Sequence, residues 1–271
     1  MSETRGADHQ ARARGFEGWA ADYDRFRPGY PDELFDEIEA RLALPPRPLT
    51  VDLGAGTGRA SLAMAARGWR VTAVEPGAGM LDLLRARATA EGLLVATTHA
   101  PAEKTGLDPD SADLVTAAQA FHWFDKERAL TEIARILRPG SGVALFWNVR
   151  DSERSRFLTE YATLLARHAK GGDAGRYEAS GRDETRAAFA GSTAFEPVEQ
   201  ITLRHEVTMT AGEFMGMVFT ASYVRAALTP EQQASLRADL AALLERHGLA
   251  DTEPFPVPYR IELWIARRRG R

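Results

Sequence analysis

Between Leu49 and Asn148 short apolar or β-branched runs alternate with stretches whose apolar residues recur every three or four positions. The runs Leu49–Leu53, Arg70–Val74, Leu94–Thr98, Ala112–Ala118 and Gly142–Trp147 read as strands. Helical spacing lies between them, near Thr57–Arg67, Ala78–Ala90 and Asp125–Leu137. The last helix carries Leu130, Ile133 and Leu137 on one face and is stopped by Pro139-Gly140. Strands and helices alternating at this spacing predict crossover units and a parallel sheet covered on both faces, an α/β fold of the doubly wound kind.

The flanks are less regular. Phe16, Trp19, Ala20, Tyr23 and Phe26 recur as one face of a short helix. A second helix is expected from Pro31, at the first helical position, to Leu42, with Leu34, Ile38 and Leu42 inward. Pro45, Pro46 and Pro48 end it. Beyond Arg150, Ser152–Ala169 reads as a helix, and Lys170–Gly181, rich in glycine and charge, as a mobile loop. Val198–Val207 reads as a strand and Ala211–Leu228 as mostly helical. Thr229-Pro230-Glu231-Gln232 is a helix start with capping-box chemistry. Leu236, Leu240, Leu243 and Leu244 stripe that helix. Val257, Tyr259, Ile261, Leu263 and Ile265 then alternate as one face of a final strand. Met1–Gly15 has no apolar periodicity and is expected to be disordered. The expected organisation is a single domain over 16–271, with a helical segment at 16–48 and a cap inserted at 211–251.

Composition narrows the function. At 271 residues and 44% hydrophobic, the chain can bury a full core without a staple. There is no cysteine, which excludes a disulfide scaffold, a thiolate metal site and a cysteine nucleophile. Lys and Arg number 34 against 38 Asp and Glu, a net charge of −4, which counts against a general nucleic-acid binder. No apolar run is long enough to span a bilayer, and the N-terminus lacks the apolar core of a secretion signal, so no membrane and a cytoplasmic location are expected. The histidines show no metal-binding spacing, so no metal is expected. Arg267, Arg268, Arg269 and Arg271 read as a solvated basic tail.

The chemistry concentrates in Val51-Asp52-Leu53-Gly54-Ala55-Gly56-Thr57-Gly58-Arg59, which ends a strand and opens a helix. Gly54 and Gly56 remove side chains where a ligand must approach backbone, and the helix start offers free N–H groups. A dinucleotide fingerprint wants glycine or alanine where Arg59 stands, which argues against a nicotinamide oxidoreductase. Glu75 ends the second strand, where doubly wound sheets place a carboxylate against ribose hydroxyls.

With these residues the sequence resembles the class I S-adenosylmethionine-dependent methyltransferases. Further stretches match in order. Tyr23-Asp24-Arg25-Phe26-Arg27-Pro28-Gly29-Tyr30-Pro31 resembles the N-terminal segment of a small-molecule branch that includes trans-aconitate methyltransferase-like enzymes. Glu75-Pro76-Gly77-Ala78-Gly79-Met80 resembles the acidic loop. Ala100-Pro101-Ala102-Glu103 resembles the loop beside the adenine. Ala118-Gln119-Ala120-Phe121-His122-Trp123-Phe124 and Ile136-Leu137-Arg138-Pro139-Gly140 resemble the stretches after the fourth strand and before the fifth. The resemblance implies a Rossmann-like seven-stranded sheet whose last strand is antiparallel, with helical cap insertions.

It also implies roles. Asp52, Gly54, Gly56 and Arg27 would hold the aminoacid end of S-adenosylmethionine, and Glu75 its ribose. Met80 and Ala102 would flank the adenine, Glu103 would bond its exocyclic amine, and Gln119 would sit near the methionine portion. His122 is either a catalytic base or a hydrogen-bonded structural histidine. Trp19, Tyr23, Trp123, Asn148 and Tyr223 are candidates for the acceptor pocket. His99, His168, His205 and His247 stand alone, without an assigned role. The expected activity is methyl transfer to a small organic molecule, to oxygen first, then nitrogen, then carbon. The alternatives are an RNA or protein methyltransferase and a cofactor-binding protein without turnover.

Overall fold

The computed structural model describes residues 26–168, 173–225, 228–250 and 252–270, with the backbone alone for 173–181, 222 and 223. The helix expected around Phe16–Phe26, and with it Trp19 and Tyr23, lies outside the described residues apart from Phe26; so do the 1–15 segment and the side chain of Tyr223.

Seven strands form one sheet: β1 Leu49–Leu53, β2 Arg70–Glu75, β3 Val95–His99, β4 Ala112–Ala118, β5 Leu137–Arg150, β6 Glu199–Met209 and β7 Phe255–Arg267. Their order is β3-β2-β1-β4-β5-β7-β6, the pairings of β1 to β5 are parallel, and β7 runs antiparallel to both β5 and β6. The chain runs outward from β1 through β2 to the edge strand β3 and then crosses back to β4 on the other side of β1, so the order reverses between β1 and β4. That is the switch point at which open α/β sheets leave a crevice at their carboxyl edge.

Among the described residues the helices are α1 Asp32–Leu42, α2 Arg59–Ala66, α3 Ala78–Ala90, α4 Lys126–Ile136, α5 Arg156–His168, α6 Asp173–Gly191, α7 Ala211–Phe219, α8 Ser222–Arg225 and α9 Pro230–Arg246. One face of the sheet buries Val115, Ala117, Val143 and Leu145 against Leu130, Ile133 and Ile136 of α4 and Phe189 of α6. The other buries Leu114, Ala144, Phe146, Ile261 and Leu263 against Leu34, Phe35 and Ile38 of α1 and Ala60 and Met64 of α2. This two-faced burial is why the central strands carry almost no exposed position.

A third core is separate. Phe157, Tyr161 and Leu165 of α5, Phe214 and Met217 of α7, Leu236, Leu240 and Leu244 of α9 and Phe255 of β7 pack together. α7, α8 and α9 all lie between β6 and β7, and the last rung before this insertion pairs Met209 with Phe255. Thr210 opens α7 with a capping box to Glu213, and Thr229 opens α9 with one to Gln232, the latter as its sequence requires.

Several expectations are corrected. Pro31 is the N-cap of α1, one position before its first helical residue. The glycine-rich 170–181 stretch, read as a loop, is helical from Asp173 onward in α6. Ser152–Arg154 is a 3-10 turn and α5 starts only at Arg156. β5 extends well past Gly142–Trp147 because Asn148, Val149 and Arg150 gain partners in Ile261, Arg260 and Tyr259 of β7. In the basic tail Arg267, Arg268 and Arg269 are engaged by the fold, while Arg271 lies outside the described residues. Arg267 donates to the carbonyls of Gly140 and Arg41, Arg268 pairs with Asp110, and Arg269 donates to the carbonyl of Phe195. Nor do His168 and His247 stand alone: they meet Asp239 at 2.8 Å and Glu160 at 3.2 Å, tying α5 to α9 and the residue that follows it. Among the described residues no helix is long and apolar enough to cross a membrane.

Candidate functional site

The loop Gly54–Gly58 leaves β1 at the carboxyl edge and turns directly into α2. The Gly54 and Ala55 N–H groups donate to the Val74 carbonyl, at 2.8 and 3.2 Å, which ties the loop to β2. Glu75, the last residue of β2, closes the turn. Its Oε2 accepts from the Gly56 N–H at 3.0 Å and its Oε1 from the Gly77 N–H at 2.8 Å. The carboxylate is 8% exposed. Burial pushes its pKa up; the Gly56 and Gly77 amides oppose that, and the Asp52 charge adds to it. His99, beside Glu75 on the neighbouring strand, holds the Pro76 carbonyl at 2.9 Å with Nε2.

Two glycines of the loop differ in what surrounds them. At Gly58 φ is +90°, and a Cβ would stand 2.6 Å from Leu84 of α3, so the absent side chain lets two elements touch. At Gly56 φ is +56° and a Cβ would meet nothing within 4 Å. Among the described residues nothing stands over Gly56, whose N–H is held by the Glu75 carboxylate.

Asp52 lies beneath this surface. It is 1% exposed, and its Oδ2 accepts from the Ser61 hydroxyl at 2.5 Å and its Oδ1 from the Thr116 hydroxyl at 2.8 Å. Burial raises its pKa from 3.8 to about 6, against the pull of those two hydroxyls. The resemblance puts it in contact with the cofactor; the structure turns it inward, where it joins β1, β4 and the start of α2. Ser61 and Thr116 were not singled out by the sequence, because only the fold brings them to one carboxylate.

The wall beyond β4 and β5 carries the other candidates. Gln119 adopts φ +55°, donates its N–H to the Phe146 carbonyl at 2.9 Å and its side-chain amide to the Asn148 carbonyl at 3.0 Å. The Asn148 side chain donates to the Gly29 carbonyl at 2.9 Å, while its Oδ1 is buried without a partner. His205 of β6 reaches the same Gly29 backbone; burial pushes its pKa down and the Glu33 carboxylate and that contact oppose it. Tyr30 meets Phe146 edge-on at 4.9 Å, and the Phe26 ring lies where a side chain on Gly216 of α7 would be, 2.7 Å from its Cβ. Phe26–Tyr30, including the half-buried Arg27, thus forms a strap from the sheet to the inserted helices. Met80 and Ala102 are buried, and Glu103 accepts from the Asp125 N–H at 2.8 Å. His122 and Trp123 occupy a 3-10 turn after β4, with ring centroids 4.9 Å apart. Trp147, also not singled out, donates its indole N–H to His122 Nδ1 at 3.3 Å.

A methyltransferase-domain family model matches residues 51–146, the stretch that carries the loop, Glu75 and the His122 turn. A solved structure from Anaeromyxobacter dehalogenans, described as a "Putative Type II Methyltransferase", is 31% identical, covers 91% of this chain and 98% of its own, and superposes with a TM-score of 0.61. The chain belongs to the class I S-adenosylmethionine-dependent methyltransferases. An uncharacterized methyltransferase of Mycobacterium tuberculosis is 43% identical over 145 residues, 54% of this chain and 56% of the relative. An uncharacterized methyltransferase of Schizosaccharomyces pombe is 32% identical over 166 residues, 61% of this chain and 64% of the relative. The match thus spans little more than half the length of these relatives.

Proposed function

We propose that this protein methylates a small organic molecule, with S-adenosylmethionine as the donor. The observation that carries the reading is the Glu75 carboxylate drawn onto the Gly56 amide at the sheet's switch point. Glu75 takes two ribose hydroxyls, exchanging backbone amides for charge-assisted bonds of similar strength. Gly54, Gly56 and the Arg27 guanidinium hold the aminoacid end. Met80 and Ala102 flank the adenine, and Glu103, one oxygen already engaged by Asp125, meets its amine. Gln119 faces the methionine portion. Asp52 acts from below, fixing the loop through Ser61 and Thr116.

The bound donor supplies a methyl group activated on a sulfonium sulfur. The chain's task is alignment and exclusion of water, and a near-attack geometry is worth roughly 7–11 kcal/mol. Trp123 and Asn148 face the acceptor, beneath a cap formed by 211–251; Trp19, Tyr23 and Tyr223 remain acceptor candidates from sequence. Oxygen is the first acceptor expected, followed by nitrogen and carbon; a net charge of −4 does not favour RNA.

Calorimetry with S-adenosylhomocysteine tests this. The wild type should bind, and E75A should bind about 10–100-fold more weakly, since hydrogen bonds to a charged group are worth about 1.5–3 kcal/mol. No heat with folded wild type refutes the reading; equal affinity for E75A removes Glu75 from the site.

A further inference from the structure

Trp147 does more than fill space beside the site. An indole nitrogen carries a hydrogen and offers no lone pair, so it only donates. At 3.3 Å from Trp147 Nε1, the His122 Nδ1 is the acceptor of that bond. An accepting imidazole nitrogen is unprotonated, and in the neutral ring the proton then sits on Nε2. Trp147 is held in place for this task. Its ring meets Trp264 edge-on, centroids 6.0 Å apart at 74°. Trp264 is buried, and the Arg186 guanidinium lies 5.8 Å over its ring. From Arg186 to His122 each ring is braced by the next.

We infer that Trp147 is a positioning residue that fixes neutral His122 as the Nε2–H tautomer, so that Nε2 donates a hydrogen bond and does not accept a proton. A base acting through Nε2 would need its proton on Nδ1, facing the Trp147 N–H across 3.3 Å. On this inference His122 does not serve as a base through Nε2. The consequence for substrate rests on the methyltransferase reading. In the transfer, the acceptor's lone pair forms the bond to the methyl carbon while the S–C bond breaks and its electron pair passes to sulfur. Nε2 has no open lone pair to receive a proton in that step. On the methyltransferase reading, this suits an acceptor whose attacking atom arrives with its lone pair already available.

The tautomer is read without any substrate, by two-bond proton–nitrogen correlation NMR on protein labelled at its six histidines. Spectra are recorded at about pH 8.5, some two units above the reference imidazole value of ~6.5. The signals absent from H122Q identify His122. The expected result is protonated Nε2 and bare Nδ1 in the wild type, with an Nδ1–H fraction emerging in W147F, which keeps an aromatic ring and loses the donor. Protonated Nδ1 in the wild type, or an unchanged tautomer in W147F, overturns the inference. Turnover supplies a separate arm. Gln at 122 retains a donor near the Nε2 position and Glu retains only acceptors, so H122Q should outperform H122E by about tenfold or more. A general base is worth about 10²–10⁴-fold, and the reverse ranking on that scale would restore the base. Failure of the NMR arm leaves methyl transfer standing; absence of cofactor binding leaves the tautomer standing.

Discussion

Replacing Asp52 by Asn should make the protein more stable at neutral pH, although it removes a charge that holds two hydroxyls. The carboxyl is 1% exposed and its pKa stands at about 6 against an ordinary 3.8. A carboxyl harder to ionise in the folded state than in the unfolded one contributes stability that is fully present below pH 3.8 and lost as pH rises through about 6. The gap of about two pH units corresponds to about 3 kcal/mol at neutral pH. Solvent screening does not reduce it, because the group is buried. Of that cost, about 2 kcal/mol is incurred between roughly pH 4.5 and 7.5. An amide fits the same space, accepting from one hydroxyl and donating to the other, since both hydroxyls rotate. D52N should therefore be nearly level with the wild type at about pH 4 and gain on it steadily up to pH 7.5. Urea unfolding of both proteins across this range, with the difference taken at each pH, reads Asp52 together with its coupling to the buried Glu75 carboxylate. A difference that does not change with pH would refute the account of this carboxyl.

Two further substitutions separate packing from binding. G58A forces a Cβ into Leu84 at a positive φ and should cost about 1–3 kcal/mol of stability; G56A, whose Cβ meets no described residue within 4 Å, should cost about 1 kcal/mol yet weaken S-adenosylhomocysteine binding far more, as calorimetry beside thermal unfolding will show. A change of Gly216 to Ala inside α7 would ordinarily stabilise a helix by about 0.5–1 kcal/mol. The Phe26 ring should reverse that sign here, and in an F26A background G216A should become stabilising; independent effects in the double mutant would dismiss the strap contact.

The donor half was legible from sequence because its signals are local. The glycine loop, the acid ending β2 and the start of α9 at Thr229 each depend on residues a few positions apart, and they lie where their spacing puts them. What stayed hidden depends on distant partners. Asp52 is turned inward by Thr116, 64 positions away, and Trp147 reaches His122 across 25. The helix α6 begins in a stretch whose glycines and charges argue for a loop, and it buries Thr185 and Phe189 further along, so packing overrides propensity there. The arginines near the C-terminus carry no pattern that distinguishes a solvated end from one whose guanidinium groups seek out carbonyls of β5 and α1.

The rung between Met209 and Phe255 has a consequence for exchanging the inserted helices. The excursion from β6 to β7 departs and returns through neighbouring positions on two strands already zipped together, and it brings much of its own apolar interior. Exchanging it leaves the pairing of β6 with β7 in register, while the ring of Phe26 seated on Gly216 carries the exchange into the strap that leads from the sheet.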